Sequence, residues 1–249
     1  MNDISSEKKP RPTLSMPNVV RMAFHIYRQT LLVTTPVALL LFVVCFGLYS
    51  WLLPSILGMP LEKFIAMVSQ NDIENLTLLV NSKLFLIASN LFVLLISCLI
   101  APMSAGFYNV FEKFKENTLL NAREVFNHYN SEYTARIIGY VVLLWAIKLS
   151  ISLLLMVINL QMFSFWFQVL LSVFFTLTIP YIILQDKPLF SAIKSSIKSV
   201  SPYLFLVFVS LIVGIVFTLS GTLLCAIGIA ATLPFLYAVN YVLFEFLKR

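Results

Sequence analysis
The chain has 249 residues, of which 60% are hydrophobic, 14% aromatic and only 11% charged, with a mean hydropathy of +0.93 and a formal net charge of +6. Soluble domains carry about 25% charged residues, so the composition excludes a soluble globular fold for these residues and indicates one polytopic membrane domain, to which no soluble catalytic domain is expected to be appended. Nucleic acid is not expected as a partner, because Lys and Arg come in small groups beside apolar spans, where cytoplasmic flanks and anionic lipid explain them better.

Residues 1–17 hold Lys8, Lys9, Arg11, Pro10, Pro12 and Pro17, a composition that buries too little apolar surface to order itself. They are expected to form a disordered cytoplasmic tail, and residues 18–249 a single integral membrane domain. Next comes a short amphipathic stretch in which Val20, Phe24, Tyr27 and Leu31 form an apolar stripe beside Arg21 and Arg28. It reads as a helix lying at the bilayer surface.

Six spans are expected, at about 31–53, 84–110, 137–158, 164–184, 203–219 and 223–247. The far-side loop Pro54–Lys83 carries a short amphipathic helix on Leu61, Phe64, Ile65 and Val68. After the second span, Leu119, Ala122, Phe126, Tyr129 and Tyr133 make a second surface stripe. Spans three and four fold back near Asn159–Ser164. Then QDKPLFSAIKSSIKSVSPY, Gln185–Tyr203, gives a third surface stripe on Leu189, Ile193, Ile197, Val200 and Leu204, opposite Lys194 and Lys198. The last two spans turn at Ser220-Gly221-Thr222, with Gly214 and Gly228 spaced evenly about Gly221 and expected at similar depth. The fold class is therefore all-α, a polytopic membrane protein with six transmembrane helices arranged as three repeats of interfacial helix plus two-span hairpin. The even spans carry Pro102, Pro180 and Pro234, expected to bend them.

Cytoplasmic placement of both termini puts 14 basic residues on that side and leaves only Lys63 and Lys83 on the other. The segments LQDKPLFSAIKSSIKSV, GIAATLPFLYAVNYVLFEFL and APMSAGFYNVF resemble the bacterial YciC-like six-helix inner-membrane family. More loosely, they are similar to the membrane domain of glycerophosphodiester phosphodiesterases. The resemblance covers the chain from about Val20 onward and implies a multi-pass bacterial inner-membrane protein, with no family reaction or catalytic residues to carry over.

Signatures of chemistry are missing: there is no HExxH, GxSxG, Walker loop or GxGxxG. Cys45, Cys98 and Cys225 lie in apolar spans without CxxC or Cys/His spacing, so neither a disulfide framework nor a metal site is expected. His25 and His128 read as interfacial histidines with a polar tip in water. No catalytic, cofactor-binding or metal residues are assigned, and no cofactor is expected. Lys148 is the one charge deep in a span, where an isolated Lys costs about 2.5–3.5 kcal/mol; it needs polar partners such as Asn90 or Gln168, or an anionic headgroup. Lys148, Lys194 and Lys198 are the candidate lipid or cavity contacts.

The function expected is non-enzymatic: lipid or envelope organisation in the membrane, with membrane lipids, anionic ones in particular, as partners. A permease or exporter of a small or amphipathic molecule is the second reading and an intramembrane enzyme the third. Membrane-protein partners and oligomeric state are not encoded in any motif. The topology is testable by single-cysteine labelling in a cysteine-free background. Probes at Gln70 and Ser220 should react from outside intact cells, whereas probes at Lys115, Lys194 and Arg249 should not; outside labelling at 115 would overturn it.

Overall fold
The computed structural model describes residues 13–70, 72–80 and 82–248; most of the expected tail lies outside the described residues. It is all-helical, with no strand among the described residues and six helical segments long and apolar enough to cross a membrane. The helices are α1 Met16–Leu57, α2 Leu61–Ser69, α3 Ile73–Val80, α4 Lys83–Lys115, α5 Thr134–Val157, α6 Ser164–Phe174, α7 Thr178–Leu184, α8 Leu189–Val200, α9 Leu204–Ser220 and α10 Cys225–Leu247. Short 3-10 segments cover Ala122–Tyr129, Gln161–Phe163, Ser201–Tyr203 and Gly221–Leu224. The fourth span is α6 and α7 in series, and α8 leads through the turn at Pro202 into α9.

Helix α10 is the axis of the bundle, packed on by α1, α4 and α9. Its contacts with α4 repeat every four residues in parallel register: Phe107 on Tyr237, Phe111 on Tyr241, and the Lys115 ammonium on the Glu245 carboxylate. The α6–α7 span is also parallel to α10, through the Thr176 hydroxyl donating to Asn240 Oδ1 (2.9 Å) and Tyr181 edge-on to Phe244. Helices α1 and α9 run antiparallel to it. Phe24, Tyr27, Phe217 and Phe235 form one aromatic cluster where these three helices meet.

Two expectations about the surface segments change. The first segment is not a separate helix: it continues without a break into the first span as α1, whose 42 residues extend about 63 Å, twice a hydrocarbon core of about 30 Å. Its buried face is Val19, Ala23, Ile26, Tyr27, Thr30 and Thr34, rotated from the Val20/Phe24/Leu31 stripe, and Phe24 is exposed. Helices that touch closely select small side chains over the most apolar ones. For the same reason α8 buries Ala192, Ser196 and Val200 and leaves Ile197 exposed. The second segment is a 3-10 turn that buries Val125 and His128 and leaves Leu119 in the open. Only α8 keeps the form of a distinct amphipathic surface helix, and the threefold repeat is not evident in these elements.

Register also corrects the last hairpin. Thr218 and Thr232 exchange hydroxyl-to-carbonyl bonds, Gly214 faces Leu236, and Gly221 faces the Gly228 carbonyl. The hairpin is therefore centred near residue 225, three or four residues past the expected turn, because Gly221 opens a further helical turn instead of ending one. Gly214 and Gly228 are not at equal depth.

The prolines of the even spans, Pro102, Pro180 and Pro234, are buried, whereas Pro36 in the first span is exposed, and each removes a helical N–H. At Pro180 the helix breaks between α6 and α7. There the Phe174 carbonyl accepts from the Ser196 hydroxyl (2.6 Å), the Phe175 carbonyl from Tyr140 (2.9 Å), and the Leu177 N–H donates to Ser196 Oγ (3.2 Å). Helices α4 and α10 pass through Pro102 and Pro234 unbroken. Three residues before each proline a carbonyl accepts a tyrosine hydroxyl: Leu99 from Tyr129, and Ala231 from Tyr27.

Gly106 is the tightest contact of all, since a Cβ there would stand 2.0 Å from the Val125 carbonyl oxygen. Gly106→Ala should therefore cost about 2 kcal/mol or more in detergent unfolding, by overpacking against backbone. Gly47→Ala, with nothing within 4 Å of the added carbon, should be neutral or stabilising by up to about 1 kcal/mol.

Candidate functional site
One end of the bundle gathers nearly all the charge. Ten described basic residues and six acidic ones lie there, against Lys63, Lys83 and three acidic residues at the opposite end. Within this basic end the C-termini of α4, α7 and α10 meet α8, and a cleft of about 1110 Å³ opens between them. Four lysines line it, Lys115, Lys187, Lys198 and Lys248, with one carboxylate, Glu245.

The α4–α10 register delivers Lys115 to Glu245, and Lys248, one turn along α10, bonds the other carboxylate oxygen. Lys115 also stands 3.8 Å from Glu112, so these two lysines are balanced by two carboxylates. The QDKP turn places the other two lysines. Asp186 takes a left-handed conformation (φ 48°), which Asp tolerates better than most residues, and is held by Arg136 at 2.7 Å. The Lys187 N–H returns to the Tyr181 carbonyl, and Pro188 opens α8. The Lys187 ammonium lies over the Tyr181 ring, 4.5 Å from its centroid, and donates to Ser195 Oγ (2.9 Å). Lys198 has no hydrogen-bond or ion-pair partner among the described residues. Ser199, next to it, shares a hydrogen bond with the Tyr181 hydroxyl (2.6 Å). The cleft therefore offers cations and hydroxyls around one carboxylate, the donor set for a phosphate or carboxylate anion.

The three candidate lysines are not one site. Lys198 lines the cleft, Lys194 is exposed on α8 outside the cleft lining, and Lys148 is in the middle of α5, half-buried and donating to Ser172 Oγ (2.8 Å). Gln168 is one step removed, its carbonyl accepting from Ser172. In the sequence Lys115 and Lys248 are only topology signals, whereas Lys187 belongs with Lys194 and Lys198 to the basic charge of Gln185–Tyr203 that is expected to collect anionic lipid. The sign that could have singled them out is Glu245, the carboxylate set deepest into a span, one turn before Lys248 at the end of α10.

His128 is also misplaced by the sequence reading: it is 5% exposed, not interfacial. The short segment on Gly106 turns it inward, where Asn109 Nδ2 stands 2.6 Å from Nε2 and Ser131 Oγ 3.3 Å from Nδ1. With the Asn109 amide donating to Nε2, the ring proton is on Nδ1. Its carbonyl accepts from Thr134 Oγ1 (2.8 Å), which joins the segment to the start of α5. Next to it, burial pushes the Tyr129 hydroxyl up to about 12, so it remains a donor. Among the described residues no group of three or more His, Cys, Asp or Glu is placed to hold a metal ion.

No family model, curated protein or solved structure matches the chain.

Burial lowers the His128 pKa below its ordinary 6.5, so protonation favours the unfolded state. The stability it contributes is complete above about pH 6.5 and is lost as pH falls through the folded-state value. Unfolding in detergent should show wild type losing more stability than His128→Gln between about pH 7 and about pH 5. Parallel pH profiles would remove His128 from the account.

Proposed function
We propose that the protein is a multi-pass protein of the bacterial inner membrane, with both termini cytoplasmic, that performs no chemical step and organises lipid by collecting anionic headgroups in the basic cleft. The observation that carries this reading is the charge of the cleft. Two of its four lysines, Lys187 and Lys198, have no carboxylate partner, and serine hydroxyls stand beside them. The excess of basic residues at this end supports the cytoplasmic orientation. The resemblance to the YciC-like family supports the inner-membrane location.

The cleft lies where headgroups would. Helix α8 is amphipathic, exposes Lys194 and Lys198, and precedes a 17-residue apolar helix whose first residues include exposed Phe205. Such a helix rests in the headgroup layer. Each basic residue beside an anionic leaflet contributes about 1 kcal/mol, so Lys187 and Lys198 together supply about 2 kcal/mol, roughly 30-fold in headgroup preference.

Native mass spectrometry after mild detergent extraction tests the reading. Lys187→Gln with Lys198→Gln should lower retained phosphatidylglycerol or cardiolipin by roughly 10- to 30-fold at low ionic strength. Lys194→Gln, outside the cleft, should lower it by no more than about fivefold. Equal losses in both variants would assign the lipid to general surface charge and remove the cleft.

A further inference from the structure
A second polar feature, independent of the basic cleft, runs through the apolar half of the molecule. On α6, Ser164, Gln168 and Ser172 follow one another at intervals of four, so they share a face, and α5 sets Ser152 and Lys148 against them. The groups form a connected file. Lys148 Nζ donates to Ser172 Oγ (2.8 Å), Ser172 Oγ to the Gln168 carbonyl (2.8 Å), Gln168 Nε2 to Ser164 Oγ (3.1 Å), and Ser164 Oγ to Ser152 Oγ (3.3 Å).

The file begins at the end of the bundle opposite the basic cleft. Exposed Phe163, Phe165 and Trp166 surround Ser164, an aromatic girdle of the kind found at headgroup level. It ends at Lys148, nine residues and about 14 Å from the end of α5, near half the depth of a hydrocarbon core. Ser172 is exposed and the other four groups are half-buried, so the seam lies open along the side of the α5–α6 hairpin.

Lys148 is incompletely satisfied there. An ammonium has three donors, and only the bond to Ser172 is formed among the described residues. Every carboxylate of the described chain lies at one of the two ends, so the protein supplies no counter-charge at this depth. A second copy brings the same lysine and no acid. The remaining partner is an anion that is itself at home in a bilayer.

We infer that the α5–α6 seam is an entry track for the phosphate headgroup of an anionic phospholipid, which passes the aromatic girdle and pairs with Lys148 while its acyl chains stay in the surrounding lipid. The seam hydroxyls and the Gln168 amide replace headgroup water on the way in, and Lys148 supplies the charge.

The test is photo-crosslinking in vesicles of phosphatidylcholine doped with phosphatidylglycerol that carries a diazirine on its headgroup, with labelled peptides mapped by mass spectrometry. Labelling is expected on the peptides spanning Lys148–Ser152 and Ser164–Ser172. It should fall at least tenfold in Lys148→Leu and be kept in Lys148→Arg, which preserves charge and controls for folding. A phosphatidylcholine probe of the same design should not label these peptides. Inorganic phosphate, balanced against chloride at equal ionic strength, should leave the labelling unchanged. Equal labelling by the choline probe, or labelling that survives Lys148→Leu, would overturn the inference. So would protection by inorganic phosphate, which would assign the seam to a soluble anion, or recovery of an intramembrane carboxylate crosslinked to Lys148 from a partner chain. None of these outcomes depends on Lys187 or Lys198.

Discussion

A carbonyl freed inside a bilayer has no water to turn to, and leaving it unpaired costs several kcal/mol. Pro102, Pro180 and Pro234 each remove the N–H that would bond the carbonyl four residues back, and in the turns beside them hydroxyls from other elements bond neighbouring carbonyls. Tyr129 from the 3-10 segment reaches α4, Tyr27 from α1 reaches α10, and Tyr140 with Ser196 close the break between α6 and α7. Each bond also fastens one element to another, so the local defect of a proline becomes a tertiary clamp. Apolar spans have little hydrophobic drive to associate in lipid; these clamps and the aromatic ladder between α4 and α10 define which helices touch.

The clamps on the α6–α7 span sit close to the basic end, and the core follows them. Buried residues concentrate on the first half of α1, the second halves of α4 and α10, α7 and α8. The other halves of α1, α4, α5, α6 and α9 present Leu, Val, Phe and Ile outward, the surface a bilayer solvates. The cleft is accordingly walled by tightly packed helix ends, which hold Lys115, Lys248 and Glu245 in one arrangement. The seam around Lys148 lies on the looser half, open at the side. The proposed headgroup cleft therefore stands in rigid protein, and the proposed entry track faces outward on the looser half.

Conversion of a glycine into an architectural element depends on what crosses it. Gly106 has the Val125 backbone against it and cannot take a side chain, Gly221 has the Gly228 carbonyl, and Gly47 faces nothing. In the sequence the three look alike, each within or beside an apolar run. The difference is the route of another segment, and no local pattern records that route.

Composition and span length by themselves determined the class: six apolar helical segments, their order, the far-side helix at Leu61–Ser69, the fold-back near Asn159 and the concentration of basic residues at one end all follow from hydropathy and charge summed over windows. Those sums are large and local, so they survive without tertiary information. Which face of each helix is buried did not follow, because at close helix contacts Ala23, Thr30, Ala192 and Ser196 outrank the larger apolar residues beside them. The burial of His128, the centre of the last hairpin and the gathering of Lys187, Lys198 and Lys115 around Glu245 were decided only by the fold. They join residues up to 130 positions apart, and a pairing of that kind is set by helix register, which depends on every contact along two helices at once.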